Sequence, residues 1–333
     1  MENISVCSEN VLCSMVMNGF WEKLSRPYLA LAPMEGVTDV VFRHVVAKAA
    51  RPDVFYTEFT NVSSYVSEKG NHSTRERLAF TEDERPIVAQ IWGSRPEHFE
   101  TTAYGLKEMG YEAIDINMGC PDKNVVRTGG GSDLIRNPRL ACEIIEATKR
   151  AGLPVSVKTR LGYSKVEEWR EWLKLLLEQD IANLTVHLRT KKEMSKVGAH
   201  HELTNEIVEL RNSTAQETLI CINGDVKDRQ EAEELAKKYG LDGVMIGRGV
   251  FGNPYCFELE PREHSREELL DLLNYHLDEF DKFNSEVGAR KFEPLKRFFK
   301  IYVREFEGAS EMREKLMQAK STDEVRDLLV LSN

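Results

Sequence analysis

Along most of the chain one pattern recurs: a short run rich in aliphatic and β-branched residues, then a longer amphipathic or polar stretch. The runs are YLALAP (28–33), VFYTEF (54–59), IVAQIWG (87–93), AIDINMG (113–119), VSVKTRLG (155–162), ANLTVHLRT (182–190), LICINGDV (219–226) and GVMIGRGV (243–250). Between them lie segments such as PEHFETTAYGLKEMG, PRLACEIIEATKRAG, VEEWREWLKLLLEQD and RQEAEELAKKYG. Their apolar positions repeat at helical spacing, and they close on Gly or a polar residue. Eight strand–helix alternations predict an α/β fold, a (β/α)₈ TIM barrel. An open doubly wound sheet is the weaker alternative, because no G-x-G-x-x-G follows the first strand.

After Pro254 the β-branched runs stop. LLDLLNYHLDEFDKF, FEPLKRFFKIYVREF and DEVRDLLVL are helical in spacing throughout. A barrel over 27–252 is therefore expected to be followed by a linker near 252–264 and a small all-helical C-terminal domain over 262–333. Residues 1–26 read as a loose arm. No basic stretch precedes an apolar block there, which excludes a secretory signal, and Met15 or Met17 offers an alternative start to Met1.

Composition narrows the class. Of 333 residues, 41% are hydrophobic and 30% charged, enough for a barrel of roughly 250 residues and an appendage. No apolar run approaches the ~18 residues of a membrane helix. Cys7, Cys13, Cys120, Cys142, Cys221 and Cys256 are scattered without any C-x-x-C, so neither a structural metal nor a disulfide framework is expected, and a reducing cytoplasm is. The net charge of −10 has the wrong sign for coating nucleic acid non-specifically. Yet Arg290, Lys291, Lys296, Arg297, Lys300 and Arg304 gather against one acid, Glu293. Either a confined anionic partner or a solvated helix face accounts for them. In a continuous helix Lys296, Lys300 and Arg304 would share an outward face, with Phe298, Phe299 and Ile301 turned to the core.

Candidate chemistry lies at the strand ends. Met34-Glu35, Glu58, Gln90, Asn117, Lys158 with Arg160, His187 with Arg189, Asn223 with Asp225, and Arg248 all fall where barrel side chains converge on the C-terminal mouth. Asn223-Gly224-Asp225 and Gly247-Arg248-Gly249, at the last two strands, predict a phosphate-bearing cofactor. Lys158 could form a Schiff base, bind phosphate, or offset charge on a reduced flavin. Cys120, just past a strand and before Pro121, could be a nucleophile or a proton donor.

Taken together, APMEGVTD (32–39), NMGCP (117–121), VKTR (157–160), HLRT (187–190), NGD (223–225) and GRG (247–249) resemble the tRNA-dihydrouridine synthases, in order, over about residues 28–304. The resemblance implies an FMN-containing barrel with a helical C-terminal domain that helps to hold tRNA. Such an enzyme reduces the C5–C6 double bond of selected uridines, with NADPH as electron donor. It implies that Cys120 protonates C5 and that Asn117 and Arg160 lie at the substrate. It gives Pro33, Met34, Gln90, Lys158, His187, Asn223, Gly224, Asp225, Gly247 and Arg248 to the flavin. To tRNA it gives Arg290, Lys291, Lys296, Arg297 and Lys300. A monomer is expected. The competing readings are a flavin barrel acting on a free pyrimidine, as dihydroorotate and dihydropyrimidine dehydrogenases do, and a tRNA-binding flavoprotein without turnover.

Overall fold

The structure, a computed structural model, describes residues 19–287 and 291–331; Arg290 and the alternative start methionines lie outside them. Its parallel strands are β1 (Tyr28–Leu31), β2 (Phe55–Tyr56), β3 (Thr60–Asn61), β4 (Ile87–Trp92), β5 (Ile114–Met118), β6 (Val155–Arg160), β7 (Asn183–His187), β8 (Leu219–Asn223) and β9 (Gly243–Ile246). All but β3 run round a ring in the order β2-β4-β5-β6-β7-β8-β9-β1, and a bridge between Ala30 and Val54 closes it. β3 is an addition on β4, pairing Thr60 with Ile91.

Helices α1 (Val40–Ala49), α2 (Pro96–Glu108), α3 (Pro138–Lys149), α4 (Trp169–Leu177), α5 (Thr204–Thr214) and α6 (Arg229–Tyr239) cover the outside. Each starts where local chemistry allows. Asp39 caps α1 by accepting from Phe42 N at 2.9 Å, and α3 opens on Pro138 behind the cap Asn137. Gly240, with φ +67, ends α6 in the left-handed conformation.

The side-chain period of two along a strand decides what faces in. Outward residues such as Leu29, Leu31, Ile116, Val157, Leu184, Val186 and Ile222 are fully buried under the helices. Each contributes about 1.5–3 kcal/mol relative to exposure. Inward residues form a second, smaller cluster that includes Tyr28, Ala30, Tyr56, Val88, Cys221 and Met245. Strand register keeps the two sets in phase: Gln90 pairs with Asp115, Asn117 with Lys158, Arg160 with His187, and His187 with Asn223. The polar strand ends therefore all point into the same mouth.

Two expectations change. The arm is not loose up to residue 26. From Gly19 it forms a 3₁₀ turn whose Trp21 is 0% exposed and packs on Tyr28, with ring centroids 5.5 Å apart, stoppering the N-terminal end of the barrel. The linker between barrel and C-terminal helices is packed down in its first half, with Pro254, Cys256 and Phe257 buried, and exposed over residues 259–263.

The C-terminal part consists of α7 (Arg266–Val287), a 3₁₀ segment Glu293–Phe298, a short turn of helix Phe299–Tyr302, α8 (Ala309–Gln318) and α9 (Thr322–Val330). It shares a core with the barrel. Phe298 stacks on Phe42 of α1 at 4.7 Å, and His276 of α7 lies edge-on to Phe298 at 5.0 Å. Outside that core His44 Nδ1 meets Glu279 Oε2 at 2.6 Å.

Candidate active site

A cavity of about 540 Å³ opens at the C-terminal ends of the strands. Its lining brings together Pro33, Met34, Gln90, Asn117, Cys120, Lys158, Arg160, His187, Asn223, Gly224, Asp225, Gly247 and Arg248. Every barrel residue expected at the catalytic, cofactor and uridine sites is thus present in one place, whereas the strand-end residues Glu35, Glu58 and Arg189 lie outside this lining. Ala32, Phe59, Gly119, Pro121, Val226, Lys227 and Gly249 complete the wall. Ala32, Gly119, Pro121 and Gly249 belong to the motifs named above, whereas Phe59, Val226 and Lys227 carried no distinguishing signal in sequence.

The wall is cross-tied. Lys158 Nζ donates to Asn223 Oδ1 at 3.1 Å, and Asn223 Nδ2 to the Met245 carbonyl at 2.9 Å. Burial and the nearby Arg160 charge lower the Lys158 ammonium to about 8, so it is mostly charged at neutral pH and readily discharged by surroundings that change. Burial, then the positive charges of Arg160 and Lys158, hold His187 well below the ordinary imidazole value. It is a neutral ring at neutral pH, and its Nδ1 is buried without a partner.

Arg160 is largely buried, which lowers its guanidinium to about 10. It remains charged, and it spends its donors on the backbone: Nε on Gly119 O at 2.7 Å, Nη1 on Thr190 O at 3.1 Å and Met194 O at 2.9 Å. It braces the loop that carries Cys120. Burial raises the Cys120 thiol above its usual value, so it is protonated at neutral pH. That state suits a proton donor rather than a standing nucleophile.

At the last two strands the chain packs too closely around two glycines for a side chain to fit without displacing its neighbours. A Cβ on Gly249 would sit 2.5 Å from Lys227 O, and one on Gly224, whose φ is +127, would sit 3.1 Å from Ala199 Cβ. Beside them Arg189, 2% exposed, pairs with Asp225 and keeps Nη1 buried without a partner. Burial works upward on the Asp225 carboxyl, but the Ala199 N–H and Arg189 outweigh it and hold it below the ordinary value. Arg248 is 64% exposed and reaches Asp225 at 3.2 Å, an exchangeable surface pair. The unpartnered His187 and Arg189 nitrogens, the glycine-lined turn and the Lys158 ammonium in the cavity wall fit a phosphate-bearing, flavin-like group.

The basic patch does not form as expected. The chain enters it as a 3₁₀ segment opened by Glu293-Pro294, so the registry of a continuous α-helix is lost. Lys296 is 8% exposed, and its Nζ donates to Glu293 Oε1 at 2.9 Å and to Met317 O at 3.0 Å. The outward stripe through Lys296 is therefore corrected: this lysine belongs to the packing of the C-terminal helices. Lys291, Arg297 and Lys300 are exposed, whereas Phe298, Phe299 and Ile301 are buried as expected. Lys291 and Arg297 line a second cavity of about 540 Å³ with Glu58 and Arg77. Among the described residues no cluster of His, Cys, Asp or Glu is arranged to hold a metal, and no helix is long and apolar enough to cross a membrane.

A parallel eight-stranded barrel that gathers a cysteine, a lysine and a neutral histidine at one mouth has the layout of a barrel enzyme's active site. Comparison with known proteins narrows this. The family described as "Dihydrouridine synthase (Dus)" matches residues 30–332. "Probable tRNA-dihydrouridine synthase 2" of Bacillus subtilis (strain 168) is 61% identical over 310 residues, covering 93% of this chain and 95% of that protein. "Probable tRNA-dihydrouridine synthase" of Staphylococcus epidermidis (strain ATCC 35984) is 60% identical over the same shares. The chain belongs to the dihydrouridine synthase family. Among solved structures, histamine dehydrogenase from Rhizobium sp. 4-9 superposes with a TM-score of 0.52 at 10% identity, over 85% of this chain and 52% of that one. That likeness reflects the barrel alone.

Proposed function

We propose that this protein reduces the C5–C6 double bond of uridines in tRNA to dihydrouridine, with FMN in the barrel mouth and NADPH as electron donor. What carries the reading is the meeting of Cys120, Asn117, Lys158 and His187 in one cavity of a dihydrouridine synthase chain. When bound, the flavin would supply the two electrons that saturate the uracil ring at C6.

The protein's own groups do the rest. Cys120, kept protonated by burial, delivers a proton to C5. Lys158, in the cavity wall, would offset negative charge that builds on the bound group. Neutral His187 offers hydrogen-bonding capacity to a flavin edge without adding a second charge next to Lys158. Arg189, Gly224, Gly247, Arg248 and Gly249 surround the place for a phosphate. A uridine in folded tRNA must leave its stack to reach this mouth. Lys291, Arg297 and Lys300, exposed on the C-terminal part, would hold the phosphates meanwhile. A monomer working in the cytoplasm is part of the same proposal.

The test supplies purified protein with FMN and NADPH and offers unmodified tRNA, free uracil and orotate in parallel. Dihydrouridine is expected in tRNA alone. Reduction of a free pyrimidine at equal or greater efficiency, or a protein that takes up no flavin, overturns the reading.

A further inference from the structure

We infer that Asp115 is a positioning residue: acting through Gln90, it fixes which atoms of the Asn117 amide face the cavity and anchors the backbone of Cys120. The inference rests on the reading that Cys120 and Asn117 act on the substrate. Asp115 lies on β5 two residues before Asn117, at 0% exposure, and is in none of the sets of candidate site residues.

A single chain of hydrogen bonds leads out from it. Ser156 Oγ donates to Asp115 Oδ1 at 2.6 Å, leaving Oδ2 to accept from Gln90 Nε2, also at 2.6 Å. Gln90 Oε1 accepts from Asn117 Nδ2 at 3.0 Å. Asn117 Oδ1 accepts the backbone N–H of Gly119 at 3.1 Å and of Cys120 at 2.9 Å. The two ends of this chain are unambiguous, because a carboxylate oxygen accepts and a backbone N–H donates. Two amides strung between such ends have one satisfied orientation. Turning either one over sets oxygen against oxygen or N–H against N–H in a buried place, where unmade hydrogen bonds are costly.

The consequence for recognition is specific. Asn117 has its carbonyl oxygen doubly used and one N–H left to offer the cavity. It can donate to a carbonyl such as the one uracil carries at C4, and has nothing to accept the amino group that cytosine carries at that position. That polarity is set on β4 and β5, below the residues that touch the substrate. The same chain holds the Cys120 N–H, so the thiol's position depends on it as well.

The test compares three substitutions at position 115 in the full-length protein. Asp115→Asn can still turn an oxygen toward Gln90, because Ser156 Oγ is able to accept from the new amide; kcat for uridine reduction should stay within about threefold of wild type. Asp115→Ala and Asp115→Val remove the acceptor, and Val preserves strand packing. Both should lose roughly 10²-fold in kcat with little change in KM, as expected for a misplaced reacting group. Iodoacetamide should label Cys120 severalfold faster in both, followed by the mass of the Cys120 peptide. Labelling requires no turnover, so a wild-type protein inactive on tRNA would overturn the functional reading while leaving this readout intact. Wild-type labelling rates in Asp115→Ala and Asp115→Val, or a loss in Asp115→Asn as large as in Asp115→Val, overturn the positioning role. Should both apolar variants fail to fold, Gln90→Met cuts the chain one link further on. Unchanged Cys120 labelling there overturns it equally.

Discussion

Arg297 Nη1 donates to the carbonyl oxygen of Gly36 at 2.7 Å, joining positions 261 residues apart. The N–H of the same glycine is taken by Glu58. Gly36 adopts φ +66, and a Cβ there would come within 2.7 Å of Arg297 Nη1, so glycine serves both the turn and the approach. Because Met34, two residues earlier, lines the active-site cavity, the C-terminal part is tied to the rim of the barrel by an arginine expected to face tRNA.

The basic residues of that region should separate in experiment. Lys296→Ala removes two buried hydrogen bonds and is expected to cost about 1–3 kcal/mol of stability, seen as a lower Tm. Lys300→Ala should leave Tm unchanged but weaken tRNA binding and flatten its salt slope by about 0.7–0.9. Arg297→Ala should do some of each. Identical Tm values for Lys296→Ala and Lys300→Ala would contradict the packing role of Lys296.

Glu58 gives the protein a pH dependence with a definite sign. Burial, then the Asp39 charge, raises its carboxyl from 4.5 to about 7. Between those values the folded protein keeps a proton that the unfolded chain has released. Stability from that proton is complete below pH 4.5 and is lost as pH rises through 7. Glu58→Gln should therefore be more stable than wild type at pH 8, by roughly 1–3 kcal/mol, and equal to it near pH 4.5. Thermal unfolding at the two pH values decides the matter; a variant less stable at pH 8 refutes it.

Much of this was legible in the chain. Strand period placed Gln90, Asn117, Lys158, His187 and Asn223 in phase, and the fold had only to curl the sheet to bring them together. What escaped reading depends on distance in three dimensions. Lys296 looks like any surface lysine until Met317, far along the chain, offers a carbonyl. Trp21 gives no periodic signal because it belongs to no strand or long helix, and its value lies in filling the barrel's lower end. Asp115 appears in sequence as one more polar residue before Asn117. Its partners Gln90 and Ser156 come from neighbouring strands, and only register discloses them.

Cysteine position separates chemistry from packing. Cys120→Ala should retain flavin and its reduction by NADPH while losing about 10²–10⁴-fold in tRNA reduction. Cys142, on α3, and Cys221, fully buried on β8, should on replacement by Ala change stability and leave turnover per folded molecule as it was. Full tRNA reduction by Cys120→Ala would remove the thiol from the reaction.

The glycine turn after β9 can be tested by contrast. Gly249→Ala places a Cβ 2.5 Å from Lys227 O, whereas nothing lies within 4 Å of a Cβ on Gly252. Flavin content after purification, read by absorbance, should fall by at least about tenfold in the first, equivalent to about 1.4 kcal/mol of binding, and stay at wild-type level in the second. Equal flavin content in both would move the phosphate site elsewhere.

The filled barrel interior also has a kinetic meaning. Because Tyr28, Tyr56, Cys221 and Met245 pack the middle of the barrel, the mouth at the C-terminal strand ends gives access to the cavity from one side, and under the proposed function the nicotinamide and the uridine must both use it. They would take turns over the same flavin face, each excluding the other. Steady-state traffic through such a vestibule obeys a queue: excess tRNA should compete with NADPH, and the rate should show the parallel-line pattern of an enzyme that releases its first product before admitting its second substrate.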